Sequence, residues 1–187
     1  MLTRTLERGW EVGDWSLPTY AFISWSAIPK HAVVAALSSE DRGFFQHRGF
    51  DEPAIRRAWK RYREEPDKPL IGGSTISQQV ARNVFLTQNR SWIRKGLEAY
   101  YTLWLELLVP KKRILEVYVN IAEMGPMVFG IESAAQFWFH KHAYQLKPIE
   151  SAQLIAMLPS PRQWTPKTPH VQRRAQWMLH APAHLPL

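Results

Sequence analysis

Three polar clusters interrupt otherwise apolar helical stretches, and each holds residue types that carry chemistry. The first is Ser39-Glu40-Asp41, ending a helix that begins near Pro29 and followed by Phe44, His47, Gly49 and Asp51. Acids at a helix C-terminus oppose the macrodipole, a placement a general base can use and a solvated helix end can also adopt. The second cluster opens with Gly72-Gly73-Ser74-Thr75 and runs through Gln78, Gln79 and Arg82 to Asn83. Glycines ahead of a helix start let the backbone approach a ligand, and exposed N–H groups there favour phosphate. No Gly-Lys-Ser/Thr closes the run, so it is not a P-loop. Ser74, Gln78 and Arg82 follow at i,i+4 spacing, a stripe that starts at the positive end of the helix dipole and suits an anion or plain solvent. The third cluster is Arg90, Arg94, Lys95 and Glu98, with the last three on one helix surface. They form either an exposed salt bridge or a carboxylate and cations facing a charged ligand.

The elements that must position these groups are helical. Periodicity predicts a helix from near Pro29 to about 41, and a second one capped by Asp51 with Pro53 in its first turn. On the second, Ile55, Ala58, Trp59 and Tyr62 share one face and Arg56, Arg57, Lys60, Arg61 and Arg63 fill much of the rest. Residues 64–73 hold Pro66, Pro69, Gly72 and Gly73 and form a loop. Ser74 or Thr75 caps a helix to about Phe85. Ser91 caps another over 92–109, whose stripe of Ile93, Leu97, Tyr100, Trp104 and Leu108 predicts a buried amphipathic helix. Further helices are expected over 111–121, 130–139, 148–158 and 171–179, with a short strand within 19–25. The fold class is therefore all-α or nearly so. The first 27 residues are weakly patterned and form an N-terminal segment, with the main domain at 28–187.

Composition narrows the partners. The 187 residues carry 24 Lys and Arg against 16 Asp and Glu, a net charge of +8, which points to an anionic partner. There is no Cys, so disulfides, a thiol nucleophile and thiolate zinc sites are excluded. Nine Trp, eight Phe and six Tyr can fill a core or line a groove for sugars and lipids. No stretch is apolar for long enough to span a bilayer. No zinc-finger, RNA-recognition or basic-zipper signature is present, so nucleic acid is not an expected partner. His170, His180 and His184 lack metal-ligand spacing.

Taken together, the clusters resemble in order and spacing the glycosyltransferase domain of class A penicillin-binding proteins and the monofunctional biosynthetic peptidoglycan transglycosylases, glycosyltransferase family 51. The resemblance rests on Glu40-Asp41-Arg42-Gly43-Phe44-Phe45-Gln46-His47 with Gly49 and Asp51, on Gly73-Ser74-Thr75-Ile76-Ser77-Gln78-Gln79, on Arg94-Lys95-Gly96-Leu97-Glu98, and on Lys112-Arg113-Ile114-Leu115-Glu116-Val117-Tyr118-Val119-Asn120. A fifth stretch, Gly130 through Phe139, follows, and the similarity covers roughly 28–166. It implies a lysozyme-like, two-lobed helical domain with a membrane-facing jaw. It implies polymerisation of lipid II into β-1,4-linked glycan strands with inversion and release of undecaprenyl pyrophosphate. Glu40 would be the general base and Glu98 the second catalytic carboxylate, orienting cations or a metal. Asp41, Phe44, His47, Ser74, Thr75, Gln78, Gln79, Arg82, Asn83, Arg90, Arg94 and Lys95 would bind substrate. No cofactor is obligatory, although Mg or Mn can join the pyrophosphate. The expected partners are lipid II, the growing glycan chain, the membrane surface and the cell-wall synthesis machinery. The expected location is the outer face of the inner membrane, with the transmembrane anchor missing from this chain. Arg82 stands where the family usually has Lys.

Rival readings are a lytic enzyme using Glu132-Ser133 or Glu150-Ser151, and a basic binding module.

Overall fold

The computed structural model describes residues 17–65, 67, 73–87 and 91–180. Eight α-helices appear among them: α1 (Lys30–Glu40), α2 (Glu52–Glu64), α3 (Ile76–Phe85), α4 (Trp92–Leu108), α5 (Lys111–Ile121), α6 (Ile131–Phe139), α7 (Pro148–Ala156) and α8 (Pro169–His180). The fold is mainly helical, in line with the lysozyme-like class expected. The 64–73 loop lies largely outside the described residues.

The helix starts follow from local chemistry. The Asp51 carboxylate accepts from the Ala54 N–H at 2.8 Å, with Pro53 in the first turn. Thr75 and Gln78 form a reciprocal capping box on α3, and Ser91 Oγ accepts from the Arg94 N–H at 3.0 Å on α4. Pro110 separates α4 from α5 because it cannot donate to the ladder of the preceding helix.

The core lies between α1, α5, α6, α7 and α8. Its fully buried members include Leu115, Tyr118, Met124, Leu154, Ile155 and Met178. Each buried Leu or Ile contributes about 1.5–3 kcal/mol relative to exposure. α7 packs on α1 and α8, and α3 packs on α4 and α5.

A small sheet is added to the helical set. β1 (Thr19–Tyr20) pairs in parallel with β3 (Val128–Phe129), which pairs antiparallel with β2 (Glu123–Gly125). Strands of two or three residues are too short to show a period of two, so only the first was foreshadowed. Residues 19–25 are tied to the domain by more than this pairing. Asn120 holds the Ile23 N–H and C=O through its amide, both at 2.9 Å, and Glu116 accepts from the Trp25 N–H at 2.6 Å. The polar residues at i,i+4 spacing on α5 are thus the fastening for the chain's first described segment.

α4 does not fit the buried helix expected. Trp92, Ile93, Leu97, Tyr100, Leu103, Trp104, Leu107 and Leu108 are all exposed, while Glu98 and Thr102 are buried. The 3.6-residue period was real, but the face turned inward is the polar one, because Arg94, Glu98 and Glu106 find charged or hydroxyl partners there. α2 behaves similarly: Ile55, Trp59 and Tyr62 are exposed and only Ala58 is buried.

Candidate active site

Glu40 is the last residue of α1, and its carboxylate is held on both oxygens. Oε1 accepts from Arg174 Nη2 at 2.9 Å and from Ser39 Oγ at 3.1 Å. Oε2 accepts from Gln79 Nε2 at 3.2 Å. Gln79 in turn accepts from the Tyr118 hydroxyl at 3.4 Å. Tyr118 is fully buried, and its phenol pKa is pushed well up by that burial, then by the negative charge of Glu40; Arg82 and Arg174 pull the other way. A carboxylate, an amide and cations therefore surround one buried ring.

Gln79 also lines a cavity of about 640 Å³. Arg82, Asn83 and Arg94 line it together with residues 158–163. The Nε atoms of Arg82 and of Arg94 are buried with no hydrogen-bond partner. A buried guanidinium donor left unpaired is costly, and such orphans point to a ligand that completes them.

Glu98 is 1% exposed and accepts from Arg94 Nη1 at 2.9 Å and from Lys95 Nζ on its other oxygen. It sits one turn behind the cavity wall and fixes the guanidinium that faces the cavity. The acids do not fit a protein-held divalent cation. Both Glu98 oxygens are taken, and no group of three His, Asp or Glu able to hold a metal gathers among the described residues.

Several predicted binding residues are occupied by the protein itself. Asp41 is buried, bonding His47 Nε2 at 2.9 Å and the Ile76 N–H at 3.0 Å, so it joins α1 to the start of α3. His47 Nδ1 accepts from the Gly49 N–H at 3.1 Å. Thr75 donates to the Gly49 C=O at 2.7 Å. Gly49 has φ +88°, and a Cβ there would lie 2.7 Å from Thr102. Phe44 is fully buried, with Lys111 4.3 Å above its ring. The stripe through Ser74, Gln78 and Arg82 is broken. Ser74 is exposed ahead of the cap, and the Gln78 amide oxygen accepts from the Thr75 N–H at 2.9 Å. The residues α3 sends to the cavity are Gln79, Arg82 and Asn83. Arg90 lies outside the described residues. Sequence reading missed Arg174, whose signal was a cation on the apolar stripe of Val171, Ala175 and Met178.

The acids of the lytic alternative are bound elsewhere. Burial pushes the Glu132 carboxyl up, but hydrogen bonds from the Ala143 N–H, His142 and Gln136 outweigh it and leave its pKa below the ordinary value. Burial raises Glu150 likewise, and Lys141 with the Lys147 N–H outweighs that. A lysozyme-type acid needs the opposite shift.

The sequence model described as Transglycosylase matches residues 14–183. The chain belongs to the transglycosylase family. It is 46% identical over 195 residues to the biosynthetic peptidoglycan transglycosylase of Xanthomonas oryzae pv. oryzae, covering 100% of this chain and 78% of that protein. The protein of that name from Pseudomonas aeruginosa is 48% identical over 157 residues, 83% of this chain and 67% of the relative. The transglycosylase of Chromohalobacter salexigens is 42% identical over 180 residues, with 95% and 76% covered. The transglycosylase family match spans every described element from β1 to α8, including the helix that carries Arg174.

Proposed function

We propose that this transglycosylase polymerises peptidoglycan glycan strands for the cell wall, with Glu40 as general base and lipid II as acceptor. The observation that supports this most is a carboxylate joined through Gln79 to a cavity that is also lined by two arginines, each with a buried, unpaired Nε. Glu40 takes the proton of the acceptor 4-hydroxyl. The oxygen attacks the anomeric carbon of the growing chain from the face opposite its pyrophosphate. The bond from that carbon to the pyrophosphate oxygen breaks, and the electron pair leaves with undecaprenyl pyrophosphate. Inversion at the carbon yields the β-1,4 link. Negative charge grows on the leaving group as the bond lengthens, and Arg82 and Arg94, fixed before reaction, stabilise that growth. Glu98 acts by holding Arg94 and Lys95 in place. A divalent cation at this site would arrive with the pyrophosphate.

The substrate is lipid-linked, so the domain works at the membrane surface. The outward face of α4 and the neighbouring end of α3, where Phe85 stacks on Tyr101 at 4.8 Å, supply the apolar contact. None of the described helices is long and apolar enough to cross a membrane. The net charge of +8 favours an anionic leaflet. The cell-wall synthesis machinery is the setting in which such a polymerase would operate.

Incubation with labelled lipid II tests the reading. Glu40→Gln keeps shape and hydrogen-bonding capacity but removes the proton acceptor, so polymerisation falls about 10²–10⁴-fold in a folded variant. A folded Glu40→Gln protein that polymerises like the parent defeats the assignment.

A further inference from the structure

We propose that Arg174 is a positioning residue for glycosyl transfer, holding the Glu40 carboxylate in the orientation that receives the acceptor proton. The proposal rests on the reading of Glu40 as general base. Arg174 lies on α8, 134 residues from its partner, and its Nη2 meets Oε1 at 2.9 Å. The pair is largely shielded, with side chains 23% and 15% exposed. The opposite oxygen is held by Gln79, whose amide is set the right way round by the buried Tyr118 hydroxyl. The carboxylate is thus gripped from two sides by elements that are distant in sequence.

The grip answers a local problem. A glutamate on the last turn of a helix faces the negative end of the helix dipole and has three free torsions. A guanidinium beside it offsets the first and restricts the second. Misplacing a reacting group by about 1 Å can lower a rate on the order of 10²-fold. α8 is itself anchored at this spot, because Trp177, one turn beyond Arg174, lies under the Arg42 guanidinium at 4.9 Å. The adjacent cation, Arg173, is exposed and serves as a matched control.

The competing view is that Arg174 merely ties α8 to α1. Steady-state lipid II polymerisation separates the two. Arg174→Met should lower kcat about 10–100-fold with KM within threefold, Arg174→Lys should recover part of that loss, and Arg173→Met should match the parent. In a Glu40→Gln background, adding Arg174→Met should change the residual rate by less than about twofold, because the two groups act as a unit. A merely structural contact adds a further loss there. Parent-like kcat in folded Arg174→Met, a loss confined to KM, or an additive loss in the double variant each overturns the proposal. Should Arg174→Met fail to fold, Arg174→Gln, which stays polar but is too short to reach Glu40 and carries no charge, is judged by the same criteria. An active Glu40→Gln protein removes the base reading instead, and this proposal with it. An inactive Glu40→Gln beside parent-like Arg174 variants removes this proposal alone.

Discussion

Arg82 shows how a single side chain can be tested for ligand contact rather than structure. Its Nε is buried and unpaired, and the residue lines the cavity. Truncating it removes no protein hydrogen bond at that atom, so Arg82→Ala should leave the melting temperature nearly unchanged. A charge-assisted contact to a phosphate contributes about 1.5–3 kcal/mol. Polymerisation by Arg82→Ala should therefore drop about 10–100-fold. Arg82→Lys should keep most activity, since one cation replaces another although the planar fork becomes a point charge. Rates for the two variants, read beside their melting curves, decide it: Arg82→Ala at the parent rate means no ligand phosphate rests there. Asp41, Thr75 and Gln78 belong to a different class. Their polar atoms already bond the backbone around Gly49, Thr75 and Ile76, so substituting them perturbs the geometry of α3 before it perturbs any ligand.

At the scale of the helix, α4 is inverted relative to a helix on an aqueous surface. Leu107 is 72% exposed and Trp92 is 89% exposed. Replacing both by Ser removes little packing, so stability should change by no more than about 0.5 kcal/mol per site. Burying either side chain in acyl chains contributes about 1.5–3 kcal/mol. Flotation with vesicles of mixed anionic and neutral phospholipid should show the double variant binding at least about tenfold more weakly. Unaltered flotation would mean that α4 does not meet the lipid. The inward face of α4 explains why the helix nevertheless docks: Ser77 and Lys111 both reach Glu106, and Thr102 Oγ1 bonds the Glu98 C=O at 2.7 Å.

Stability of the whole molecule should fall in acid for an identifiable reason. Glu132 and Glu150, one on α6 and one on α7, both have folded pKa values below the ordinary 4.5. A carboxylate depressed on folding contributes stability that is fully present above its unfolded pKa and is lost as pH falls through the folded value. The melting temperature should therefore hold above about pH 5 as far as these groups are concerned, and decline below about pH 4.5. Glu150→Gln, which loses the ion pair to Lys141 at 2.8 Å, should lower the neutral plateau and flatten the acid limb. A variant whose acid limb keeps the parent's slope would place the acid sensitivity elsewhere.

Local signals determined the helices and their starts, because caps, prolines and the 3.6-residue period act within a few residues. Asp51 before Pro53, Thr75 before α3 and Ser91 before α4 all cap as their types and spacing indicated. The resemblance also implied Glu40 as the base and Gln79, Arg82 and Arg94 among the substrate-binding residues. Periodicity states that a helix has two faces but not which one meets the protein, so the stripe of α4 reads as core although its apolar face points outward. The pairing of β1 with β3 and the clamp of Asn120 and Glu116 on residues 19–25 join segments about ninety or more residues apart, so no local pattern shows which partners they meet. The same holds for Arg174. The apolar residues Val171, Ala175 and Met178 put Arg174 on their own face of α8 and Arg173 on the opposite one, but only the packing of α8 against α1 and α7 brings that guanidinium to Glu40.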